Sequence, residues 1–106
     1  MHKMVVLAKA VEGQVEALAK WYDETHMNDL LAVPGLVTAE RHNLVTLKQP
    51  EGTPKWDFML IYELEGPDPM VVLGNMAKAQ PVISDLLESS STLSVVGISH
   101  GVKTEA

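Results

Sequence analysis

A nine-residue stretch concentrates the side chains of this chain that could move a proton. It lies within KWYDETHMNDLLAVPG (residues 20–35) and contains Trp21, Tyr22, Asp23, Glu24, His26 and Asp29. An imidazole titrates near neutral pH and can act as a general base or a general acid. His26 is therefore the principal candidate for a catalytic residue. The alternative is a structural histidine at the end of a helix, where a charged imidazole would interact favourably with the helix dipole.

The spacing of apolar residues before His26 predicts which way its side chain points. From residue 14 these residues recur at helical spacing: Val15, Leu18, Ala19 and Tyr22. The same stripe continues to residue 26, so the pattern predicts an amphipathic helix ending near residues 25–26. Tyr22 and His26 then face the core, whereas Asp23 and Glu24 face solvent. A short turn at residues 29–31 is expected before Pro34-Gly35 ends the segment.

Three neighbours could assist His26. Asp29 could fix the tautomer and orientation of the imidazole, as a carboxylate does in proton-transfer pairs, or it could cap a short helical turn. Tyr22 could donate a hydrogen bond to a developing oxyanion, or it could be a core tyrosine with its hydroxyl at an edge. Trp21 lies beside the stripe and is expected to pack there or to form the wall of a cleft.

Further candidates for substrate contacts lie on predicted strands. One strand carries aromatic side chains in register that could bound an aromatic or aliphatic ligand or could simply be core: Trp56, Phe58 and Tyr62. His42 and His100 could each enter a cleft between the helices and the sheet, or face the other side of the sheet. Arg41 has the opposite parity from His42, so we expect it to pair with an acidic neighbour.

Composition restricts the class of protein. A chain of 106 residues, 46% hydrophobic and 21% charged, predicts one globular domain over residues 1–106. The net charge of −6 argues against binding nucleic acid or an anionic membrane surface. The absence of cysteine excludes disulfides and thiolate chemistry. No apolar run reaches the length of a signal peptide core or a membrane span, so we expect a cytoplasmic protein.

The sequence contains no motif for a metal or a cofactor. It has no His-Glu-x-x-His, no paired histidines at ligand spacing, no glycine-rich phosphate loop and no serine elbow. A facial triad would require His26 and Asp29 to be joined by His42 or His100. We therefore expect a protein that uses neither a metal nor a cofactor.

The elements that must position His26 follow from periodicity and turn residues. Apolar or alternating runs predict strands over residues 4–8, 36–47, 56–64 and 93–102. Asp68 followed by Pro69 predicts the start of a second helix, which runs to about residue 80. Residues 82–88 could continue as another helical piece. The order β-α-β-β-α-β is that of a ferredoxin-like α+β fold, an antiparallel four-stranded sheet with both helices on one face.

The strands also predict that the second face of this sheet is covered. A sheet with one solvated face alternates apolar and polar residues, whereas the runs MVVLA, FMLIY and SVVGI are apolar on both faces. Two helices cannot cover both faces, and no further element is available. We therefore expect a second copy of the chain to cover the bare face, which gives a two-fold symmetric homodimer.

The element order and the stretch WYDETHMNDLLAVPGLVTAERH (residues 21–42) resemble the dimeric α/β-barrel superfamily. Within it the chain is most similar to EthD-like and small stress-responsive barrel proteins. The superfamily includes cofactor-free monooxygenases, muconolactone isomerases, polyketide cyclases, dehydratases and haem-dependent members, so the fold does not select one reaction. The resemblance does imply that His26 occupies a cleft, where related proteins have similar histidines.

These observations predict a cofactor-independent enzyme that acts on a small, largely apolar carbonyl or phenolic compound. Its central step would be proton transfer at carbon, as in isomerisation, cyclisation or dehydration. His26 would move the proton, Asp29 would orient the imidazole, and Tyr22 would stabilise an enolate or phenolate. Two alternatives stay open: a non-catalytic protein that binds a small hydrophobic metabolite, and a cofactor-free monooxygenase.

Overall fold

The computed structural model describes all 106 residues, and its centre is a four-stranded antiparallel sheet. The strands are β1 His2–Ala8, β2 Leu36–Asn43, β3 Phe58–Leu64 and β4 Leu93–Gly97, and the α-helices are α1 Val15–Trp21, α2 Met27–Leu31 and α3 Pro69–Ala79. The strand order is β2-β3-β1-β4, with every neighbouring pair antiparallel. The predicted order of elements and the predicted sheet are therefore confirmed. No helix is long and apolar enough to cross a membrane.

The helix α3 begins where the sequence predicts it. The Asp68 carboxylate accepts a hydrogen bond from the backbone N–H of Met70 at 2.9 Å, and Pro69 occupies the first turn, where its missing N–H costs nothing. The helix ends at residue 79 because Gln80 adopts a left-handed conformation with φ of 47°, and Pro81 cannot continue the hydrogen-bond ladder.

The segment after α3 is not helical, so the prediction of another helical piece over residues 82–88 is wrong. It instead lies alongside residues 9–11, which directly follow β1. The N–H of Val11 donates to the Leu86 carbonyl, and the N–H of Glu88 donates to the Lys9 carbonyl, both at 2.9 Å. These bonds satisfy the backbone without a helix, and a short 3-10 turn over Ser89–Ser91 then leads into β4.

β1 begins two residues earlier than predicted, at His2. The other three strands are shorter than predicted because a strand needs a partner along its whole length. Between β2 and β3 only one bond, from the N–H of Leu44 to the Asp57 carbonyl at 3.0 Å, extends the ladder. β2 therefore ends at residue 43 and β3 begins at residue 58. β4 ends at residue 97 rather than at 102 because its partner β1 begins at residue 2. The N–H of Ser99 donates to Nδ1 of His2 instead, at 2.9 Å.

A β-bulge in β2 changes which residues face the helices. The pairing with β3 is irregular between Leu36 and Thr38, so Val37 is the extra residue of the bulge. Leu36 therefore faces the helices while His42 faces the bare side, although the uninterrupted alternation of a strand over residues 36–47 would put both on one face. Arg41 and His42 do lie on opposite faces, as predicted.

The core lies between the helices and one face of the sheet. Every second residue of β3 is buried there, as the alternation predicts: Phe58, Leu60, Tyr62 and Leu64. Leu18 of α1, Leu30 of α2 and Val72 of α3 are buried against this face. A Cβ on Gly35, whose φ is 94°, would lie 2.5 Å from Cγ2 of Val72. Glycine at this turn therefore lets α3 pack closely against the start of β2.

The other face of the sheet carries no helix. The strand register places six apolar side chains on it: Val5, Leu7, Met59, Ile61, Leu93 and Val95. Leu93 and Val95 are 44% and 52% exposed, whereas the other four are half-buried by their neighbours. We call these six residues the bare-face cluster. The sheet thus has two apolar faces, and the helices cover one of them.

Candidate functional site

A π-helical turn carries the central residues of the site. Between α1 and α2 the backbone forms a π-helix over Tyr22–His26, a feature that is frequent at functional sites. The helical segment therefore continues to Leu31 instead of ending near residue 26. Tyr22 is 3% exposed and His26 is 8% exposed, and both face the sheet, the direction that the helical stripe predicts.

Aromatic rings, rather than hydrogen bonds, hold the imidazole of His26. The indole of Trp21 stacks on it with a centroid distance of 4.3 Å and an interplanar angle of 18°. The ring of Tyr22 meets it edge-on at 5.6 Å. Phe58 packs behind Tyr22, with the centroids 6.4 Å apart. Trp21 and Phe58 therefore pack against His26 and Tyr22 but do not themselves line the cavity that His26 and Tyr22 face.

Tyr22 and His26 line a cavity of about 180 Å³ between the helices and the sheet. The other lining residues are Met4, Val6, Leu30, Tyr62, Met76, Pro81, Ile83, Leu87, Thr92 and Ser94. Its inner end is formed by buried residues, whereas Ile83 and Ser94 at its rim are exposed. An apolar cavity of about 150 Å³ can hold benzene, so this one has room for a single ring with short substituents.

Three buried residues with polar side-chain atoms line the inner end of the cavity. They are Tyr22, His26 and Tyr62, which form no side-chain hydrogen bond with the protein. None of their polar atoms is fully buried, because the one fully buried polar side-chain atom without a partner is Nε2 of His42. The two hydroxyls and the imidazole are therefore free to bind polar atoms of a ligand.

Burial sets the protonation of these groups. It raises the pKa of Tyr22 to about 12, and burial together with the neighbouring Tyr22 raises the pKa of Tyr62. Burial lowers the pKa of His26 below its ordinary value of 6.5, an effect that the nearby charge of Asp29 partly opposes. At neutral pH the site therefore presents two O–H donors and a neutral imidazole that can accept a proton.

Asp29 acts on His26 through its charge alone. Its carboxylate is exposed and forms no hydrogen bond with the imidazole, although its field raises the pKa of His26. It does not cap α2 either, because no side chain caps that helix. A negative charge in this position favours the imidazolium that forms when His26 takes up a proton.

Neither of the other candidate histidines lies at the cavity. His42 is on the bare face of the sheet, where its Nε2 is buried without a hydrogen bond although Oε1 of Glu40 lies 3.1 Å away. His100 follows the end of β4 in an exposed segment. The facial triad of His26, Asp29 and His42 or His100 is thus not assembled. No group of three or more histidine or acidic side chains is placed to share a metal ion.

Trp56 lies outside the cavity as well. It precedes β3 instead of belonging to the strand, and its indole N–H donates to the carbonyl of Ser91 at 2.6 Å. This bond ties the chain before β3 to the 3-10 turn before β4. Of the three aromatic residues in the predicted stripe, Tyr62 alone lines the cavity.

An ion pair fastens the π-helical turn to the sheet. Arg41 of β2 donates from Nε and Nη2 to the two carboxylate oxygens of Asp23, at 2.8 and 2.9 Å, and its guanidinium lies 4.9 Å from the ring centroid of Phe58. The Arg41 hydrogen bond lowers the pKa of Asp23. Asp23 adjoins Tyr22 in the chain, so this pair helps to position the inner end of the cavity. The predicted pairing of Arg41 with an acidic residue is confirmed.

The sequence alone did not indicate Met76, Thr92 or Ser94 as site residues. Met76 comes from α3, Thr92 directly precedes β4, and Ser94 is the second residue of β4. Methionine on a helix and hydroxyl residues at the start of a strand form no recognisable motif. Their proximity to His26 depends on the folded arrangement of segments far apart in the chain.

The altered pKa of His26 predicts a pH-dependent contribution to stability. Above about pH 6.5 the imidazole is neutral in both the folded and the unfolded chain, so it has no effect. As the pH falls from there toward the lowered pKa of the folded state, only the unfolded chain binds the proton and the protein loses stability. His26→Gln should therefore show a smaller fall in melting temperature between about pH 7.5 and about pH 5.5. Replacement of the exposed His100 by glutamine serves as the control, and an equal fall in both variants would contradict the prediction.

Comparison with known proteins identifies the fold. No protein-family model and no curated protein matches the chain, but solved structures do. HapK from Hahella chejuensis matches 100% of this chain and 99% of its own, with 11% identity and a TM-score of 0.57. An ethyl tert-butyl ether D (EthD) family protein from Bacillus halodurans C-125 matches 93% of this chain and 98% of its own, with 17% identity and a TM-score of 0.52. The fold is ferredoxin-like and EthD-like.

A third solved structure agrees with this. A dimeric ferredoxin-like protein of unknown function from Thermobifida fusca YX matches 90% of this chain and 87% of its own, with 18% identity and a TM-score of 0.50. Identities of 11 to 18% establish the shared fold and leave the activity open. In this ferredoxin-like arrangement, the sheet separates the cavity from the bare-face cluster.

Proposed function

We propose that the cavity binds a small, largely apolar carbonyl or phenolic compound and catalyses proton transfer at a carbon atom without a cofactor. One observation carries this proposal: His26, with a lowered pKa, lines the same small apolar cavity as Tyr22 and Tyr62, and none of the three side chains is hydrogen-bonded to the protein. A general base and a pair of oxyanion donors are the groups that removal of a proton next to a carbonyl requires.

The proposed step uses each polar group at the buried end. The hydroxyls of Tyr22 and Tyr62 donate hydrogen bonds to the carbonyl oxygen of the ligand. His26 removes a proton from the neighbouring carbon, and the electron pair of that C–H bond moves into an enolate, whose oxygen the two hydroxyls stabilise. The imidazolium then returns the proton to another carbon in an isomerisation, or to a departing hydroxyl group in a dehydration.

Asp29 has a supporting part in this step. Its carboxylate is exposed, and its charge favours the imidazolium that exists after His26 has taken the proton. Because no hydrogen bond joins the two side chains, we infer that Asp29 adjusts the basicity of His26 rather than its orientation. The stacked Trp21 ring supplies the orientation.

We also infer that the chain functions as a homodimer in which the bare-face clusters of two copies pack together. Six apolar side chains would otherwise face water, and the Thermobifida fusca neighbour is described as dimeric. A ferredoxin-like sheet packed in this way buries its second face, while the cavity on the helix side stays open to ligands.

Hydrogen–deuterium exchange tests the proposed reaction even though the natural substrate is unidentified. The protein is incubated in D₂O with small aryl ketones such as acetophenone and phenylacetone, and loss of the proton signals next to the carbonyl is followed by NMR. We expect exchange above the rate in buffer. Tyr22→Phe and Tyr62→Phe should each lower that excess by about 10²- to 10³-fold, the usual effect of removing one oxyanion donor. Thr53→Val, on the loop between β2 and β3, removes a hydroxyl outside the cavity and serves as the control.

Ligand binding and oxygen consumption, measured beside the exchange rate, separate the competing functions. Binding of ketones and phenols without any exchange would favour a carrier, because the mostly apolar lining of the cavity suits one equally well. Oxygen consumption in the presence of an activated phenol would favour a cofactor-free monooxygenase. Wild-type protein that binds none of these compounds would contradict a ligand site in this cavity.

A further inference from the structure

We propose that the cavity selects single-ring compounds with an oxygen at each end, and that Ser94 and Thr92 bind the second oxygen. This inference rests on the proposed function for the buried end of the cavity and adds the class of ligand. The buried end would bind the first oxygen through Tyr22, Tyr62 and His26. The rim would bind the second oxygen through the two hydroxyls at the start of β4.

The strand register places the two polar ends on opposite sides of the cavity. Ser94 pairs with Val6 of β1, and Met4 of the same strand pairs with Tyr62 of β3. Two strand-to-strand steps of about 4.8 Å and an offset of two residues along β1, about 6.8 Å, therefore separate the backbone of Ser94 from that of Tyr62 by roughly 12 Å. A single ring with an oxygen at each end spans that distance when a hydrogen bond is added at both ends.

The surface between the two ends suits a ring. Val6 and Met4 project from the sheet beneath it, and Met76 of α3 contributes from the opposite side. Thioether sulfur makes favourable contacts with aromatic rings and adapts to irregular shapes. The middle of the cavity therefore offers dispersion contacts and no hydrogen bonds, so a ligand's polar atoms must lie at its two ends.

The two rim hydroxyls have free hydrogen-bonding capacity. Ser94 makes no side-chain hydrogen bond, and Thr92 makes only a long one, in which its hydroxyl donates to the Glu88 carbonyl at 3.4 Å. Ser94 can therefore donate and accept, and the lone pairs of Thr92 are available to a donor. Both side chains border the same cavity as His26. Within the largely apolar run LSVVGI, Ser94 places a hydroxyl beside Val6 in the wall of the cavity. An apolar side chain at this position would make that part of the wall fully apolar.

A matched pair of probe ligands tests the inference. 4-Hydroxyacetophenone and 4-isopropylphenol have similar shapes, but only the first carries a second oxygen. Dissociation constants are measured by ligand-observed NMR titration for wild type, Ser94→Ala and Thr92→Val. We expect Ser94→Ala to weaken binding of 4-hydroxyacetophenone by about 3- to 10-fold, the value of one ordinary hydrogen bond, and to leave 4-isopropylphenol unchanged. Thr92→Val should act in the same direction.

Ser90→Ala is the matched control, because Ser90 is exposed in the 3-10 turn outside the cavity. A double-mutant comparison of ligand oxygen against Ser94 hydroxyl isolates their interaction from changes in general affinity. If Ser94→Ala changes both ligands equally or changes neither, the inference is wrong while the proposed function stands. If wild-type protein binds neither probe, the ligand site itself is wrong.

Discussion

Replacing His26 by glutamine is expected to slow enzyme-catalysed proton exchange at carbon by about 10²- to 10⁴-fold, the usual contribution of a general base. Glutamine keeps a planar polar group against Trp21 but cannot accept a proton near neutral pH. The hydroxyls of Tyr22 and Tyr62 would remain, so ligand binding should change little. The measurement is the hydrogen–deuterium exchange of aryl ketones, together with their dissociation constants.

A small side chain at the same position gives a more specific test. His26→Ala leaves space beside the cavity, and imidazole added to the solution should restore part of the lost exchange. A merely structural histidine would show no such rescue of catalysis. His42→Gln and His100→Gln are the controls, since neither residue lies at the cavity. A folded His26→Ala protein with the full exchange rate would remove His26 from the mechanism.

The fall of the proton-exchange rate at acidic pH should follow the protonation of His26. Because burial lowers the pKa of His26, the base stays neutral and active to a pH below 6.5. The buried tyrosines have raised pKa values, so they remain hydrogen-bond donors well into the alkaline range. The site is thus arranged to keep one acceptor and two donors uncharged across neutral pH.

Short-range periodicity predicted the side chains at the buried end of this site. The stripe that leads from Leu18 to Tyr22 and His26 follows from helix geometry alone, and the alternation of β3 placed Tyr62 on the same face as Phe58. These patterns hold because burial of an apolar stripe or face is decided within one element. The π-helical turn even preserves the predicted direction of His26, although it lengthens the helix beyond the expected end.

The rest of the site depends on contacts between distant segments. The bulge at Val37 reverses the parity of β2, and nothing in the local sequence marks it. The rim residues Thr92 and Ser94 approach His26 because β4 pairs with β1 and the chain after α3 runs back beside residues 9–11. Predicting these positions requires the register of the sheet, which local patterns do not contain.

The largest structural effect should come from a charge in the bare-face cluster. Ile61 lies on the central strand β3, between Val5 of β1 and Glu40 of β2. In a dimer joined by this face, Ile61→Lys would bury an ammonium on each side of the two-fold axis, at a cost of several kcal/mol. In a monomer the same lysine would reach water and lie close to Glu40. We therefore expect the variant to elute as a folded monomer at micromolar concentration.

Size-exclusion chromatography with light scattering makes the comparison quantitative. Wild type should show twice the 11.6 kDa mass of the chain, and Val71→Lys, a charge on the exposed side of α3, should leave that mass unchanged. A wild-type monomer at micromolar concentration would contradict the dimer. The monomeric variant should still bind 4-hydroxyacetophenone, because one chain supplies every lining residue of the cavity. If Ile61→Lys also slows proton exchange, the substitution must disturb Tyr62 through the backbone of β3. The two residues are adjacent in that strand, and their side chains point to opposite faces of the sheet.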